Sequence, residues 1–160
     1  MTSAEDTSTQ DTVALWHLQA RYADIVTCRS WDQLAEIFLP DTTVEVDMVT
    51  RPLRRFVGPD EVGTFIAGAI ERYDYFAFTI LNTVVEVDRP PDEAAGRFFM
   101  CEIRHESATD AWHNAYGVYR DRYRRVDGRW WIAERRYRSM ARTGPDPAVL
   151  GLPDDLTPLG

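Results

Sequence analysis

The sequence predicts an α+β domain, and three observations carry the prediction. Helical periodicity is confined to the first 72 residues, four long stretches rich in Val, Ile, Tyr, Phe and Trp follow residue 74, and the joins between them are turn-like. Helices first and a run of antiparallel strands after them is the α+β pattern. One face of such a sheet needs cover, which three helices can supply. A sheet curling around them leaves a closed-ended pocket, a common ligand site.

Residues 1–9 are small and polar and are expected to form a flexible N-terminus. From Thr12, Leu15, Leu18, Tyr22, Ile25 and Val26 recur at helical spacing. Ser30 is placed to cap a second, shorter helix over "WDQLAEIF", which "LPD" stops. "TTVEVDM" is β-branched and alternating, so it reads as a strand, with "RRFVG" as its short partner. Pro59 opens a third helix over 59–72, with a stripe of Val62, Phe65, Ile66 and Ile70. Strands are expected at 75–88, 94–106, 112–126 and 130–141, joined by "DRPPDE", "SATD" and "VDG". Asp127-Gly128 between Tyr/Arg and Trp runs is a two-residue hairpin signal. The tail "GPDPAVLGLPDDLTPLG" has four prolines and is expected to be irregular and packed on the surface. The organisation is therefore one domain over 10–141 between a flexible terminus, 1–9, and a Pro-rich tail, 142–160.

The 160-residue length suits one domain with a substantial core. A formal charge of −8 argues against a general nucleic-acid or membrane-surface partner, because phosphates are repelled on average. All 18 basic residues are arginine, for which folding offers no reason. Cys28 and Cys101 make at most one disulfide, "MTSAEDTSTQ" lacks a secretory pattern, and the apolar runs are far short of a membrane span. A cytoplasmic location with reduced thiols is the expectation.

The chain has three histidines, no two at metal-ligand spacing, so no metal site is expected. His105 ends a strand in "CEIRHE" and shares period-two parity with Phe99, Cys101 and Ile103. It reads as either an acid–base group or a core histidine with a satisfied hydrogen bond. His113 shares parity with Ala115, Gly117, Tyr119 and Asp121, and reads as a pocket-mouth group or a surface histidine. His17 lies off the Leu15/Leu18 stripe. "FVGPDEVG" lacks the spacing and the lysine of a phosphate loop, and no serine sits in an elbow motif. The run "YRDRYRRVDGRWWIAERRYR" could stack nucleic acid, but its interleaved acids fit cross-strand ion pairs on an exposed face better.

This order of elements, with "YADIVTCRSWDQL" near the start and "YRDRYRRVDGRWWIAERRY" near the end, resembles the SnoaL-like branch of the nuclear transport factor 2-like superfamily over residues 10–141. Relatives include scytalone dehydratase, a hexachlorocyclohexane dehydrochlorinase and polyketide cyclases. The resemblance implies a cone-shaped α+β barrel, its strongly curved, mixed and mainly antiparallel sheet wrapped around the three helices. Dehydratase-like members pair an aspartate ending the first helix, about a turn after a tyrosine, with a histidine opening the third-strand segment. Here Tyr22 matches the tyrosine, but Thr27 and Phe78 occupy the aspartate and histidine positions, so the dyad is replaced at both members. A second family histidine matches His105. Asp24 lies about 200° around the helix from Tyr22 and cannot substitute for the lost aspartate.

By resemblance, His105 is the acid or base, Tyr22 donates to a substrate oxygen and Thr27 holds His105 or a water. Trp16, Val46, Phe65, Phe78, Cys101, His113, Gly117 and Tyr119 line the pocket. The expected activity is a cofactor-independent dehydration, isomerisation or cyclisation of a hydrophobic cyclic or polyketide-like molecule. The alternative is a non-catalytic binding or accessory protein. The implied partners are a small hydrophobic molecule and a second copy meeting the outer sheet face, with no nucleic acid, membrane, metal or organic cofactor.

Overall fold

A computed structural model describes residues 4–87, 92–156 and 159. In chain order they form α1 (Ala4–Cys28), a 3-10 turn (Trp31–Glu36), β1 (Phe38–Asp47), β2 (Arg54–Val57), α2 (Gly58–Ile70), β3 (Tyr75–Val87), β4 (Glu93–Glu106), β5 (Ala111–Val126), β6 (Arg129–Arg142) and a two-residue β7 (Ala148–Val149). The strand order is β2-β1-β6-β5-β4-β3, with β7 added to β6. All pairings are antiparallel except β1 with β6. The sheet curves over α1 without closing, so it is a cone open at the β2 and β3 edges rather than a barrel. No described helix is long and apolar enough to cross a membrane.

Helix α1 buries the predicted stripe of Leu15, Leu18, Tyr22, Ile25 and Val26, together with Asp11 and Gln19 from the same face. It starts at Ala4, inside the stretch over 1–9 expected to be a flexible terminus. The polar residues there can continue a helix already fixed by packing downstream. The second helix is a tight 3-10 turn over Trp31–Glu36 in which Leu34 is buried, and Pro40 then sits in β1. The join at 88–93 falls largely outside the described residues. At the last hairpin Asp127 and Gly128 have φ of 51° and 75°, the pair of positive angles that an Asp-Gly two-residue turn supplies.

The tail is not irregular throughout. Val149 and Ala148 pair with Ala141 and Arg142, and the chain then crosses the outer face, where Arg120 and Arg97 hold Asp155 and Leu156.

The phase of β4 matters most for function. Phe98 pairs with Tyr119 and stacks on it with centroids 4.9 Å apart, and both are buried among residues from α1. The inward residues of β4 are therefore Gly96, Phe98, Met100, Glu102 and Arg104. Phe99, Cys101, Ile103 and His105 face the other way, which corrects the inward placement expected for them. Bulges at Ala133 and Met140 reset β6, where the register skips one residue each time. They turn Arg135, Tyr137, Ser139 and Arg142 inward.

Candidate functional site

The first α1–sheet contact of interest joins the two substituted dyad positions. Strand β3 is an edge strand with α1 across its open side, and the Phe78 amide donates to Thr27 Oγ1 at 3.0 Å. Thr27 thus satisfies an edge amide that would otherwise be stranded. The Phe78 ring meets Tyr22 edge-on at 5.4 Å. The family's acid–base positions are adjacent in space, but a backbone hydrogen bond and a ring contact join them.

Below Tyr22 the interior holds a cation. Arg135 is 1% exposed and donates through Nε and Nη2 to Asp121 at 2.8 and 2.6 Å. Its Cζ lies 4.0 Å from the Tyr22 centroid, 4.8 Å from Tyr119, 5.3 Å from Phe98 and 5.6 Å from Phe38. Burial opposes the charge, but Asp121 outweighs it and holds the guanidinium more firmly charged than usual. Tyr123 donates to the same carboxylate at 2.9 Å and accepts from Gln19 at 2.6 Å. Burial pushes Tyr22 up and Tyr119 well up, so both stay protonated donors.

Toward the open end of the concave face the lining becomes polar. Register places Glu102 beside Ala115, Arg104 beside His113, and Ala115 beside Arg142. Arg104 donates to Glu102 at 3.3 Å, and its guanidinium lies 5.0 Å over Tyr73. His113 Nε2 is 3.3 Å from Glu106, and its ring lies 5.6 Å from Tyr73. Burial raises the Glu102 carboxyl above its ordinary value, and Arg104 opposes this only in part. Burial likewise raises Tyr137, with the Glu102 charge adding to the shift. A partly buried carboxyl displaced upward on the inner face is an arrangement suited to moving a proton. Tyr137 lies directly over Gly117, where an added Cβ would come within 2.2 Å of its ring.

The expected site residues divide by place. Tyr22, Thr27, Phe78, Gly117 and Tyr119 gather on the inner face, Val46 lies in the same core, and His113 is at its mouth. Phe65 packs at 4.4 Å on Phe56, with Arg54 over both rings, at the β2 side. Trp16 is 49% exposed, because it lies about 120° around α1 from the centre of the buried stripe. Cys101 is buried on the outer face, where burial raises its thiol. His105 is also on the outer face: Nδ1 lies 2.9 Å from Asp74, Nε2 3.3 Å from Asp110, and Trp112 5.0 Å from its ring. The structure therefore does not bring His105 to Tyr22 and Thr27. Glu102 and Arg104 were missed because they share the opposite parity.

The Asp74 hydrogen bond, reinforced by Asp110, outweighs the cost of burial and raises His105 above 6.5. Its stabilising contribution is full below pH 6.5 and disappears as pH rises through the raised value. The stability gap between the wild type and His105→Asn, measured by urea unfolding across pH 5 to 9, is therefore expected to be widest in acid and to narrow in base. A gap that grows with pH would contradict this.

Among the described residues no group of three or more His, Cys, Asp or Glu is placed to hold a metal ion. The fold defines a class, small α+β cones with a curved sheet folded over a long helix. Residues 7–136 match the model of the SnoaL-like domain, and the chain belongs to that family, within the nuclear transport factor 2-like superfamily. A search of curated proteins gives no match. Among solved structures, a hexachlorocyclohexane dehydrochlorinase, LinA-type3, from Novosphingobium barchaimii LL02 is 18% identical, with 94% of this chain and 100% of that one covered at a TM-score of 0.78. A candidate scytalone dehydratase from Novosphingobium aromaticivorans is 20% identical over 92% and 95%, with a TM-score of 0.76. A protein of unknown function from Mycobacterium tuberculosis is 22% identical over 86% and 76%, with a TM-score of 0.72. At these identities the likeness concerns the fold.

Proposed function

We propose that this protein binds a small, hydrophobic, cyclic or polyketide-like molecule at the mouth of the concave face and moves a proton on it without a cofactor, as a lyase or isomerase does. The observation that carries this reading is Glu102, a carboxyl raised by burial, beside Arg104 on the inner face. In this mechanism Glu102 takes a proton from a carbon next to a carbonyl and returns it elsewhere on the substrate. Tyr119 or Tyr137 donates a hydrogen bond to the oxygen on which negative charge develops. Thr27 keeps its structural role at the β3 edge, and His105 takes no part. The second reading is a binding protein that has kept the pocket and lost the chemistry. The Thr27–Phe78 contact at the dyad positions favours it.

Deuterium incorporation from D2O into a panel of cyclic and aromatic ketones, followed by NMR, separates the two. Exchange by the wild type, reduced about 10²-fold or more in Glu102→Gln and unchanged in His105→Asn, supports proton transfer. Ligands that bind, detected by native mass spectrometry, but exchange no faster than in buffer establish the binding reading instead. Exchange that survives Glu102→Gln overturns the assignment of Glu102.

A further inference from the structure

The outer face of the sheet carries a row of like charges that the inner-face chemistry leaves unexplained. Arg97 on β4 is directly opposite Arg120 on β5, which is directly opposite Arg136 on β6. Adjacent strands stand about 4.8 Å apart, so the three arginines stand side by side across three strands on one face. Like charges directly opposite one another are unfavourable in a sheet, and such a row persists only where something anionic answers it. Glu45 answers from the β1 end, 3.7 Å from Arg136, although it also binds Arg55 at 2.8 Å.

The other answer comes from the tail. Arg120 Nη1 donates to the Asp155 carboxylate at 2.7 Å and to the Asp155 carbonyl at 3.1 Å, and Arg97 Nη1 donates to the Leu156 carbonyl. Arg120 holds the Asp155 carboxyl below its ordinary value. Alongside lies a surface groove of about 640 Å3, lined by Arg120, Arg122, Arg124 and Arg136, with Glu134 and Asp155 among its acidic members. Asp155 is a two-thirds exposed side chain in a Pro-rich segment, and so is a weakly held occupant. The occupant is itself a short acidic peptide, bound through a side-chain carboxylate and main-chain carbonyls.

We propose that the Arg97–Arg120–Arg136 row and its groove form a docking site for a short acidic peptide segment of a partner protein. The chain's own Asp155-Leu156 is the resident stand-in that such a partner displaces. The chemistry of recognition is on display in that contact: the Arg120 and Arg97 guanidinium donors face one carboxylate and two main-chain carbonyls of a short turn.

The test uses the full-length protein and a fluorescein-labelled peptide copying residues 150–156, followed by anisotropy. Asp155→Asn weakens the internal competitor, so it is expected to bind the peptide about two- to fivefold more tightly than the wild type. Binding should weaken with salt and disappear in Arg120→Gln. A peptide with both aspartates changed to asparagine should not bind. Melting curves establish that each variant is folded, and Arg136→Gln takes the place of Arg120→Gln if the latter is not. Equal binding of the asparagine peptide, or no gain in Asp155→Asn, overturns the proposal. Concentration-dependent dimerisation of Asp155→Asn without peptide binding also overturns it, and assigns the face to a second copy of this chain.

Discussion

Arg135→Met is expected to destabilise the fold by about 3–5 kcal/mol, the largest effect of any single substitution considered for this chain. The reason is the charge left behind. Asp121 is 2% exposed and receives two bonds from Arg135 and one from Tyr123. Without the guanidinium it must stay ionised and unpaired in the core or take up a proton, and both are costly. Loss of the cation from between the Tyr22, Tyr119, Phe98 and Phe38 rings adds a cavity and removes cation–π attraction. The double variant Asp121→Asn/Arg135→Met removes the stranded charge and keeps an acceptor for the Tyr123 hydroxyl. It is expected to recover most of the loss in urea unfolding. Equal destabilisation of the single and double variants would show that the ring cage, rather than the ion pair, sets the energy.

Gly117→Val tests the inner face by crowding it. A Cβ at this position would lie 2.2 Å from one ring carbon of Tyr137 and 2.8 Å from its hydroxyl oxygen, so the ring must leave its place. Overpacking of this kind costs about 1–3 kcal/mol, and Tyr137 is walled in by the neighbouring inward side chains. The stability loss, read by chemical denaturation, should be accompanied by loss of ligand binding at the mouth. Adding Tyr137→Leu should restore stability, because the clash is with the Tyr137 ring and hydroxyl, without restoring the hydroxyl. Tolerance of Gly117→Val at wild-type stability would mean that Tyr137 can swing aside freely and does not define the pocket.

These two predictions rest on features that differ in how legible they were. The α1 stripe, the α2 opening at Pro59 and the Asp127-Gly128 hairpin follow from local rules, and the structure has them where those rules place them. The phase of β4 does not follow from them. Phe98 and Phe99, then Met100 and Cys101, put apolar side chains on both faces, so period two alone does not say which is inside. The choice between Glu102 and His105 as the inner-face ionisable group turns on that single-residue phase.

The sequence by itself determined the order of elements, the α+β class and the replacement of the family dyad by Thr27 and Phe78, because each depends on residues close together in the chain or on identity at a position. Only the tertiary structure decided which of the arginines in "ERRYR" is buried. Two bulges in β6 shift its facing by one residue each, and the partner that makes burial of Arg135 tolerable, Asp121, lies on the neighbouring strand. The arginine row was equally hidden, since Arg97, Arg120 and Arg136 become neighbours only through strand register. Charge pairing and facing depend on cross-strand partners 14 to 91 residues away in the chain. Those partners are set by the whole sheet rather than by any local pattern.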